Sequence, residues 1–235
     1  MSGVVLSLFP GIGLLDMAFG EEGYCVVRGP DVLWGGDVRR FHPPAGVFEG
    51  VIGGPPCQEF SETSAFAGFH GRTSEFGNLI PEFGRVVAEA RPPWFLMENV
   101  RSAPLPDVAG YHIHALLFNN RWIGAEQNRV RRFSFGTRDG RRLVPEEAVF
   151  FAPTFAPAVT SAHQGYGRER KRGEIRRYTV SEAVALQGLP GDYLEHAPFT
   201  RQGKLKAIAN GVPLPMGRAI ARAVSRAMQR DEVST

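Results

Sequence analysis

The hydrophobic residues of this chain fall in short continuous runs that glycine and proline separate. These runs occupy residues 4–9, 24–28, 47–52 and 94–97. Runs this short, with little polar alternation, are typical of strands that are buried on both faces of a parallel sheet. Two weaker candidates, at residues 36–39 and 133–135, would extend the sheet.

Between these runs, apolar residues recur at the three- and four-residue spacing of amphipathic helices. The predicted helices cover residues 14–20, 80–89, 111–117, 179–187 and 214–228. Thr179 followed by Glu182 forms a candidate capping box at the start of one of them. Strands that alternate with helices predict an α/β fold with a doubly wound, mostly parallel sheet.

Two segments depart from this alternation. Only a few residues separate Asp31 from the strand predicted at residues 36–39, whereas a crossover connection needs about a dozen. The second βα unit is therefore predicted to be reduced to a loop. Beyond residue 137 the periodicity fades among several prolines. We expect one α/β domain, formed by residues 1–136 and 176–235, and a small irregular module at residues 137–175.

The composition limits the class of protein. A chain of 235 residues, 43% hydrophobic and 22% charged, is typical of one soluble globular domain with a small addition. No stretch approaches about 18 consecutive apolar residues, and the first residues lack the basic start of a signal peptide. Cys25 and Cys57 are too few for a disulfide framework, which fits a reducing cytoplasm. The six histidines show no metal-ligand spacing, so no metal is expected.

The charge is unevenly distributed, although the net charge is only +3. Between residues 165 and 178, six basic residues stand against two acidic ones. The basic residues are Arg168, Arg170, Lys171, Arg172, Arg176 and Arg177. Clustered basic residues beside glycine and tyrosine suit a phosphate backbone, and a solvated loop would explain the same charge.

A cysteine lies at the tip of a rigid turn. Residues 53–58 read Gly-Gly-Pro-Pro-Cys-Gln directly after a predicted buried strand. Two glycines and two prolines prevent regular structure there. A thiol held past a strand end lies where open α/β sheets place their chemistry. From these residues alone, Cys57 is either a reactive thiol or an inert buried one.

A second candidate site follows the first predicted strand. Residues 9–13 read Phe-Pro-Gly-Ile-Gly, a turn in which glycine lets a ligand approach the backbone. Asp16 stands where the phosphate-binding fingerprint needs a third glycine, so a nucleoside-type cofactor fits better than a dinucleotide. Asp31 is placed to bind a ribose diol, and Asp37 to accept from an adenine amino group. Together these features suggest S-adenosyl-L-methionine.

Short motifs along nearly the whole chain resemble those of the DNA (cytosine-5)-methyltransferase family. They are Phe-Pro-Gly-Ile-Gly at residues 9–13, Pro-Pro-Cys-Gln at 55–58, Gly-Asn-Leu at 77–79, Glu-Asn-Val at 98–100, Gln-Asn-Arg-Val-Arg at 127–131, Arg-Arg-Tyr-Thr at 176–179 with Leu-Gln-Gly-Leu-Pro at 186–190, and Asn-Gly-Val-Pro at 210–213. Each motif alone is weak. Seven in the family's order identify the chain as a small, phage-like member, and imply the fold of S-adenosylmethionine-dependent methyltransferases.

The resemblance implies a role for each catalytic candidate. Cys57 would add to carbon 6 of cytosine and make carbon 5 nucleophilic. Glu98 would protonate or hydrogen-bond ring N3, and Arg131 would bind the 2-oxo group. Arg129 would support the cysteine site. The base would first be flipped out of the duplex, and residues 59–77 resemble the family's mobile catalytic loop.

The candidate binding residues come from the motifs and from the basic cluster. The cofactor candidates are Phe9, Gly11, Ile12, Gly13, Asp31, Asp37, Val38, Pro56, Leu79, Asn210 and Val212. The DNA candidates are Gln58, Ser61, Arg72, Gln127, Tyr166, Arg168, Arg170, Lys171, Arg172 and Arg176. The implied partner is double-stranded DNA, the product is S-adenosyl-L-homocysteine, and the protein is expected to be a monomer in the cytoplasm of a prokaryote or a phage-infected host.

The resemblance also leaves questions open. Residues 137–175 would form a target recognition region much shorter than is usual in the family, which predicts a short or degenerate target sequence. A catalytically inactive DNA-binding relative is one alternative, although such a copy would be expected to have lost Cys57, Glu98 or Arg131. An RNA cytosine-5 methyltransferase is another, although its typical Cys-Phe-Thr signature is absent from this chain. Glu59 follows the Pro-Pro-Cys-Gln motif at a position where relatives often have a small residue, and the sequence does not explain it.

Overall fold

A computed structural model describes residues 3–56, 77–148, 154–160, 168–171 and 174–229, and for residues 168–171 and 174–177 it describes the backbone alone. Its centre is a six-stranded sheet in the order β2-β1-β3-β4-β7-β5. The strands are β1 Val4–Leu8, β2 Cys25–Arg28, β3 Gly50–Gly53, β4 Trp94–Asn99, β5 His112–Asn119 and β7 Val130–Thr137. The first four in the sheet are parallel, and β7 runs antiparallel between β4 and β5.

Five helices and two smaller strand pairs complete the described part of the chain. The helices are α1 Leu14–Glu21, α2 Ile80–Ala90, α3 Val180–Leu186, α4 Arg201–Asn210 and α5 Leu214–Gln229. The paired strands are β6 Gln127–Asn128 with β8 Ala156–Pro157, and β9 Arg168–Lys171 with β10 Glu174–Arg177. The predicted capping box is present, since Thr179 and Glu182 exchange side-chain and backbone hydrogen bonds at the start of α3.

The core lies in two layers, one on each face of the sheet. On one face, Phe19 of α1 stacks on Trp94 of β4, with ring centroids 5.9 Å apart. On the other face, Phe83 of α2 packs edge-on against Phe95, also at 5.9 Å. Phe83 and Phe95 are fully buried, and removing a side chain of this size from water stabilises the fold by roughly 1.5–3 kcal/mol. Helices on both faces of a mostly parallel sheet confirm the doubly wound α/β class.

The strand predicted at residues 36–39 is absent. In its place, two single 3₁₀ turns, Val32–Trp34 and Val38–Arg40, connect β2 to the segment before β3. Asp31 and Asp37 begin these turns by accepting the backbone N–H groups of Leu33 and Arg39. Because a carboxylate that caps a turn competes with extended pairing, this segment folds locally instead of adding a strand. Strand β2 is therefore the edge of the described sheet.

The helix predicted at residues 111–117 is also wrong, because this segment is strand β5. The Ala-Leu-Leu run favours a helix locally. Strand β5 instead pairs along its whole length with β7, from His112 opposite Thr137 to Asn119 opposite Val130. Tertiary pairing over such a length overrides a weak local preference. Helix α4 was not predicted, although Thr200 caps it by accepting the N–H of Gly203.

Candidate active site

The candidate residues gather at the carboxyl ends of the parallel strands. Strand β1 lies between β2 and β3, and the chain passes from β1 to β2 on one side before it returns to β3 on the other. Such a switch point opens a crevice at the carboxyl ends of the strands. The register pairs Leu8 with Gly53, and Gly53 with Met97. The next residue on each strand is Phe9, Gly54 or Glu98, so the three predicted motifs begin at or next to one row across the sheet.

The glycine turn after β1 has an unusual backbone. Phe9 has a φ of +55°, a left-handed conformation that costs a non-glycine residue about 1–2 kcal/mol. Gly11 and Gly13 also have positive φ values, +55° and +82°. A side chain at Gly13 would overlap the guanidinium of Arg28. A non-glycine residue in the left-handed region, followed by two glycines of positive φ, is typical of a turn that brings its backbone close to a ligand.

Asp16 fixes this turn to the neighbouring strand. Its buried carboxylate accepts hydrogen bonds from the Ser7 hydroxyl at 2.5 Å and from Nε of Arg28 at 2.8 Å. Burial raises the pKa of Asp16, and the contacts with Ser7 and Arg28 partly offset that rise. Asp16, which replaces the third glycine of a phosphate-binding fingerprint, therefore stabilises the contact between the turn and β2.

Asp31 and two aromatic residues hold the turn from outside. Asp31 Oδ2 accepts the N–H of Gly11 at 2.8 Å, and Trp34 Nε1 donates to the Gly11 carbonyl at 2.9 Å. The Tyr193 hydroxyl donates to the carbonyl of Ile12 at 2.6 Å. Trp34 and Tyr193 were not among the predicted site residues. In the sequence, Trp34 could have been identified from its position in the shortened connection between Asp31 and Asp37.

Asp37 lies close to Asp31 because the chain doubles back between them. The N–H of Gly36 donates to the Asp31 carbonyl at 2.9 Å, and a Cβ on Gly36 would lie 2.9 Å from Pro30. The Asp37 carboxylate accepts from the backbone N–H and Nε of Arg39, and this contact lowers the pKa of Asp37. The two residues predicted to bind the cofactor therefore belong to one tightly folded segment.

These residues fit a nucleoside-type cofactor. Within the described residues, nothing lies within 4 Å of the position that a Cβ on Gly11 would take, so the backbone is open there. A carboxylate has about four lone-pair positions, so Asp31 and Asp37 can each accept further hydrogen bonds from hydroxyl or amino groups. Ile12 and Val38 add buried apolar surface beside them. No group of three candidate metal ligands occurs in the described part of the chain.

Glu98 and Arg131 form a largely buried ion pair. Nε of Arg131 lies 2.9 Å from Oε1 of Glu98, and the two side chains are 17% and 10% exposed. Desolvation raises the pKa of Glu98, while the charges of Arg131 and Arg129 act in the opposite direction. Desolvation is the largest cause, so the Glu98 carboxyl holds a proton more readily than an exposed one.

The turn that leads to Cys57 is fixed against this pair. The amide of Asn99 donates to the carbonyl of Pro55 at 3.1 Å. A Cβ on Gly54 would lie 3.1 Å from Oε2 of Glu98, so glycine permits the close approach. Cys57 itself lies outside the described residues, but its Cα is one peptide unit, about 3.8 Å, from that of Pro56. Asn99 belongs to the Glu-Asn-Val motif, which gave it no predicted role, and the structure shows that it positions the turn.

Gln127 and Arg129 have structural roles. Gln127 is completely buried and donates to the carbonyl of Leu186, which corrects the prediction that it contacts DNA. Arg129 is 2% exposed and donates to the carbonyls of Val159, Ala209 and Gly211. Its hydrogen bonds to these carbonyls place Arg129 as a support for the site and not as a group that contacts substrate.

Gln187 completes this network. Its Nε2 donates to the carbonyls of Ile208 and Gly211 at 2.6 and 3.1 Å, and its Oε1 accepts from Gln127. The end of α4, at Asn210, and the residues up to Val212 are thus fastened to Gln187 and, through it, to Gln127 of β6. Leu79, the remaining cofactor candidate of known position, is buried just before α2.

The remaining candidates are described in part or not at all. The residues outside the described part of the chain are Cys57, Gln58, Ser61, Arg72, Tyr166 and Arg172. The backbone of the β9–β10 hairpin carries Arg168, Arg170, Lys171 and Arg176. Its register pairs Arg168 with Arg177 and Arg176 with Glu169. The loop predicted at residues 59–77 is described only at Gly77.

The sheet order, the switch-point crevice and the acidic and glycine residues beside it define the fold of S-adenosylmethionine-dependent methyltransferases. The family model for C-5 cytosine-specific DNA methylases matches residues 36–155 and 152–226. The chain belongs to this family.

Several known proteins are similar to the chain. Type II methyltransferase M.FnuDI of Fusobacterium nucleatum is 29% identical over 163 residues, which are 57% of this chain and 46% of that protein. Orphan methyltransferase M.SPRI of Bacillus phage SPR is 26% identical, over 57% of this chain and 38% of its own length. The chain therefore spans about half or less of the length of these two relatives.

Two solved structures share the fold. A variant of DNMT2 from Spodoptera frugiperda has a TM-score of 0.68 at 13% identity, covering 95% of this chain and 100% of that chain. A protein assigned as a prophage-encoded DNA modification methyltransferase of E. coli has a TM-score of 0.65 at 18% identity, covering 97% and 99%. In the described residues, no helix has the length and apolar character needed to cross a membrane.

Proposed function

We propose that this protein transfers a methyl group from S-adenosyl-L-methionine to carbon 5 of cytosine in double-stranded DNA. The observation that carries the proposal is the Glu98–Arg131 pair, 2.9 Å apart, beside the turn that leads to Cys57. The contact of Asn99 with Pro55 holds that turn against the end of β4. Family membership supports the reaction class, and type II and phage orphan methyltransferases are among the similar proteins.

Cysteine addition gives the reaction a path because carbon 5 of cytosine is a poor nucleophile. The thiolate sulfur of Cys57 forms a bond to carbon 6, and the electron pair of the C5–C6 double bond moves toward carbon 4 and N3. Glu98 donates a proton at N3, for which a raised carboxyl pKa is suited. Arg131 places positive charge where the 2-oxo group would gather negative charge.

The bound cofactor supplies the electrophilic methyl group that carbon 5 takes up. Asp31 and Asp37 would hold its ribose and adenine, and the turn at residues 9–13 would accommodate the rest. Afterwards a base removes the proton from carbon 5, the C5–C6 double bond forms again, and the Cys57 sulfur leaves carbon 6. Glu98 then recovers its proton from N3. The product S-adenosyl-L-homocysteine is released.

The target base must leave the duplex before Cys57 can reach carbon 6. Residues 137–175 are proposed as the target recognition region, within a catalytic domain formed by residues 1–136 and 176–235. A region this short buries little surface, so the recognised sequence is short or degenerate. The protein is proposed to act as a monomer in the cytoplasm of a bacterium or a phage-infected cell, and the similar proteins come from a bacterium and a bacteriophage.

A mechanism-based trap tests the reaction. Duplex DNA that carries 5-fluorocytosine cannot lose its carbon 5 substituent as a proton, so an active enzyme remains attached through Cys57. We expect a covalent adduct that depends on S-adenosyl-L-methionine, resists denaturation and is absent in Cys57→Ser. Glu98→Gln is expected to slow adduct formation while the protein stays folded.

The substrate is tested in the same assay. A single-stranded RNA with the same substitution should form no adduct, and adducts on RNA alone would replace DNA with RNA as the substrate. The absence of any adduct on DNA would contradict the proposed function. Bisulfite sequencing of DNA from expressing cells should then reveal one short methylated context, and methylation confined to a long site would refute the short-target proposal.

A further inference from the structure

Arg132 follows the ion-paired Arg131 on β7 but lies on the opposite face of the sheet. The register pairs Arg132 with Asn99 on β4 and with Leu117 on β5. Residues that pair across strands share a face, and successive residues of a strand alternate between faces. Arg132 is therefore next to the residue that holds the turn before Cys57, on the side of the sheet away from Glu98.

No anionic partner for Arg132 is present among the residues that the structure describes. Its side chain is partly buried, and Glu98, the carboxylate closest to it in the sheet, already pairs with Arg131. Desolvation lowers the pKa of Arg132, and no charged group in the described part of the chain offsets that change. A guanidinium that is partly desolvated and has no anion among the described residues is suited to a ligand that brings negative charge.

We propose that Arg132 binds a phosphate of the DNA strand that enters the candidate active site. The site is the surface of the sheet around Arg132, between Asn99 of β4 and Leu117 of β5. The ligand is a phosphodiester of the DNA backbone. This inference rests on the proposed function, because it is DNA that would bring a phosphate to this surface. It deepens that function by assigning a binding position that the seven motifs do not include.

The chemistry of the position favours a phosphate over a base. Arg131 lies on the Glu98 face, where the base would react, whereas Arg132 lies on the opposite face with Asn99 and Leu117. A guanidinium presents several donors in a fixed plane and matches phosphate oxygens in pairs. A DNA phosphate would supply the missing negative charge and would fix the strand relative to Cys57 without reading sequence.

The salt dependence of binding measures this contact. DNA affinity of the full chain would be measured with a mixed-sequence duplex over roughly 0.05–0.5 M salt, where each neutralised phosphate contributes about 0.9 to the slope of log K against log salt. We expect Arg132→Met to reduce the slope by about that amount and to weaken binding roughly five- to tenfold near 0.1 M. Arg132→Lys should keep the slope because the charge remains.

Arg142→Met is the matched control. Arg142 is an exposed arginine at the opposite edge of the sheet, where it lines a cleft with His112 and His114. It should leave the slope unchanged. The thermal midpoint of Arg132→Met should equal or exceed that of the wild type, since an uncompensated cation has been removed. A structural role for Arg132 would lower that midpoint instead.

Two results would overturn the inference: a wild-type slope in Arg132→Met, or a lowered thermal midpoint in that variant. The slope is a binding measurement, so it is informative whether or not the wild-type protein forms the 5-fluorocytosine adduct. Failure of the adduct alone contradicts the proposed reaction. An unchanged slope alongside a normal adduct contradicts only the assignment of Arg132.

Discussion

Replacing Arg131 with methionine should produce a stability loss that grows with pH. The change leaves the Glu98 carboxylate buried with its nearest opposite charge removed. Breaking a buried pair on one side costs about 3–5 kcal/mol when the remaining group stays charged. Glu98 can instead take up a proton, and each unit of pKa difference corresponds to about 1.36 kcal/mol. The cost therefore depends on whether Glu98 is charged at the pH of the experiment.

The direction of the pH effect follows from linkage. The folded-state pKa of Glu98 is already above its ordinary value of 4.5, and removal of Arg131 raises it further. A folded state that binds the proton more tightly than the unfolded state loses stability as pH rises through that window. We expect Arg131→Met to cost about 3 kcal/mol at pH 8 and about 1 kcal/mol or less at pH 5.

Urea unfolding between pH 5 and 8 measures this difference. Arg39→Met is the matched control, because Nε of Arg39 also lies 2.9 Å from a carboxylate, that of Asp37, but the pair is exposed. It should remain close to the wild type at every pH. The double variant Arg131→Met with Glu98→Gln should recover most of the stability lost at pH 8. An equal loss at both pH values, or no recovery in the double variant, would refute the reasoning.

Three further predictions concern the frame of the site. Asn99→Ala leaves the buried carbonyl of Pro55 without its donor and should cost about 1–3 kcal/mol in urea unfolding, together with lower methylation activity. Gly50→Ala would force a methyl group into the Trp94 indole and should cost roughly 1–3 kcal/mol or more, with a change in tryptophan fluorescence. Thr179→Ala removes a helix cap and should lower stability by about 1 kcal/mol.

Two of these changes have a matched comparison variant. Gly20→Ala adds a methyl group where the described residues leave open space in α1, and should be neutral or stabilising by up to about 1 kcal/mol. A similar response at Gly50 would show that the ring contact is unimportant. Thr179→Ser should keep most of the cap, and equal losses for serine and alanine would contradict the capping explanation. If Asn99→Ala is as stable as the wild type, the hydrogen bond from Asn99 to Pro55 does not stabilise the turn.

Local patterns predicted most elements that form the sheet and its covering helices. The apolar runs at β1, β3 and β4 are continuous because both faces of these strands are buried, and this property is visible in the sequence itself. The capping box of α3 was equally visible, because it depends on residues three positions apart. The turns at residues 9–13 and 53–56 were predicted because glycine and proline disfavour regular structure.

Contacts that the apolar pattern does not record decided the rest. The helix predicted at residues 111–117 became β5 because β7, which follows it in sequence, offers a full ladder of partners. The strand predicted at residues 36–39 became a turn because Asp31, Asp37 and Gly36 fold the segment back on itself. The first outcome cannot be derived from a window of a few residues, because the pairing strand lies elsewhere in the chain. The second depends on hydrogen bonds within residues 31–39, which the apolar pattern does not record.

The candidate site shows the same division. Residue types and spacing alone were enough to single out Glu98, Arg131 and the turn before Cys57. The tertiary structure decided that Glu98 pairs with Arg131, that Asn99 holds Pro55, and that Gln127 is buried. A sequence motif records which chemical groups are available. Burial and hydrogen-bond geometry, which depend on how distant strands meet, decide which of those groups face a ligand and which support the fold.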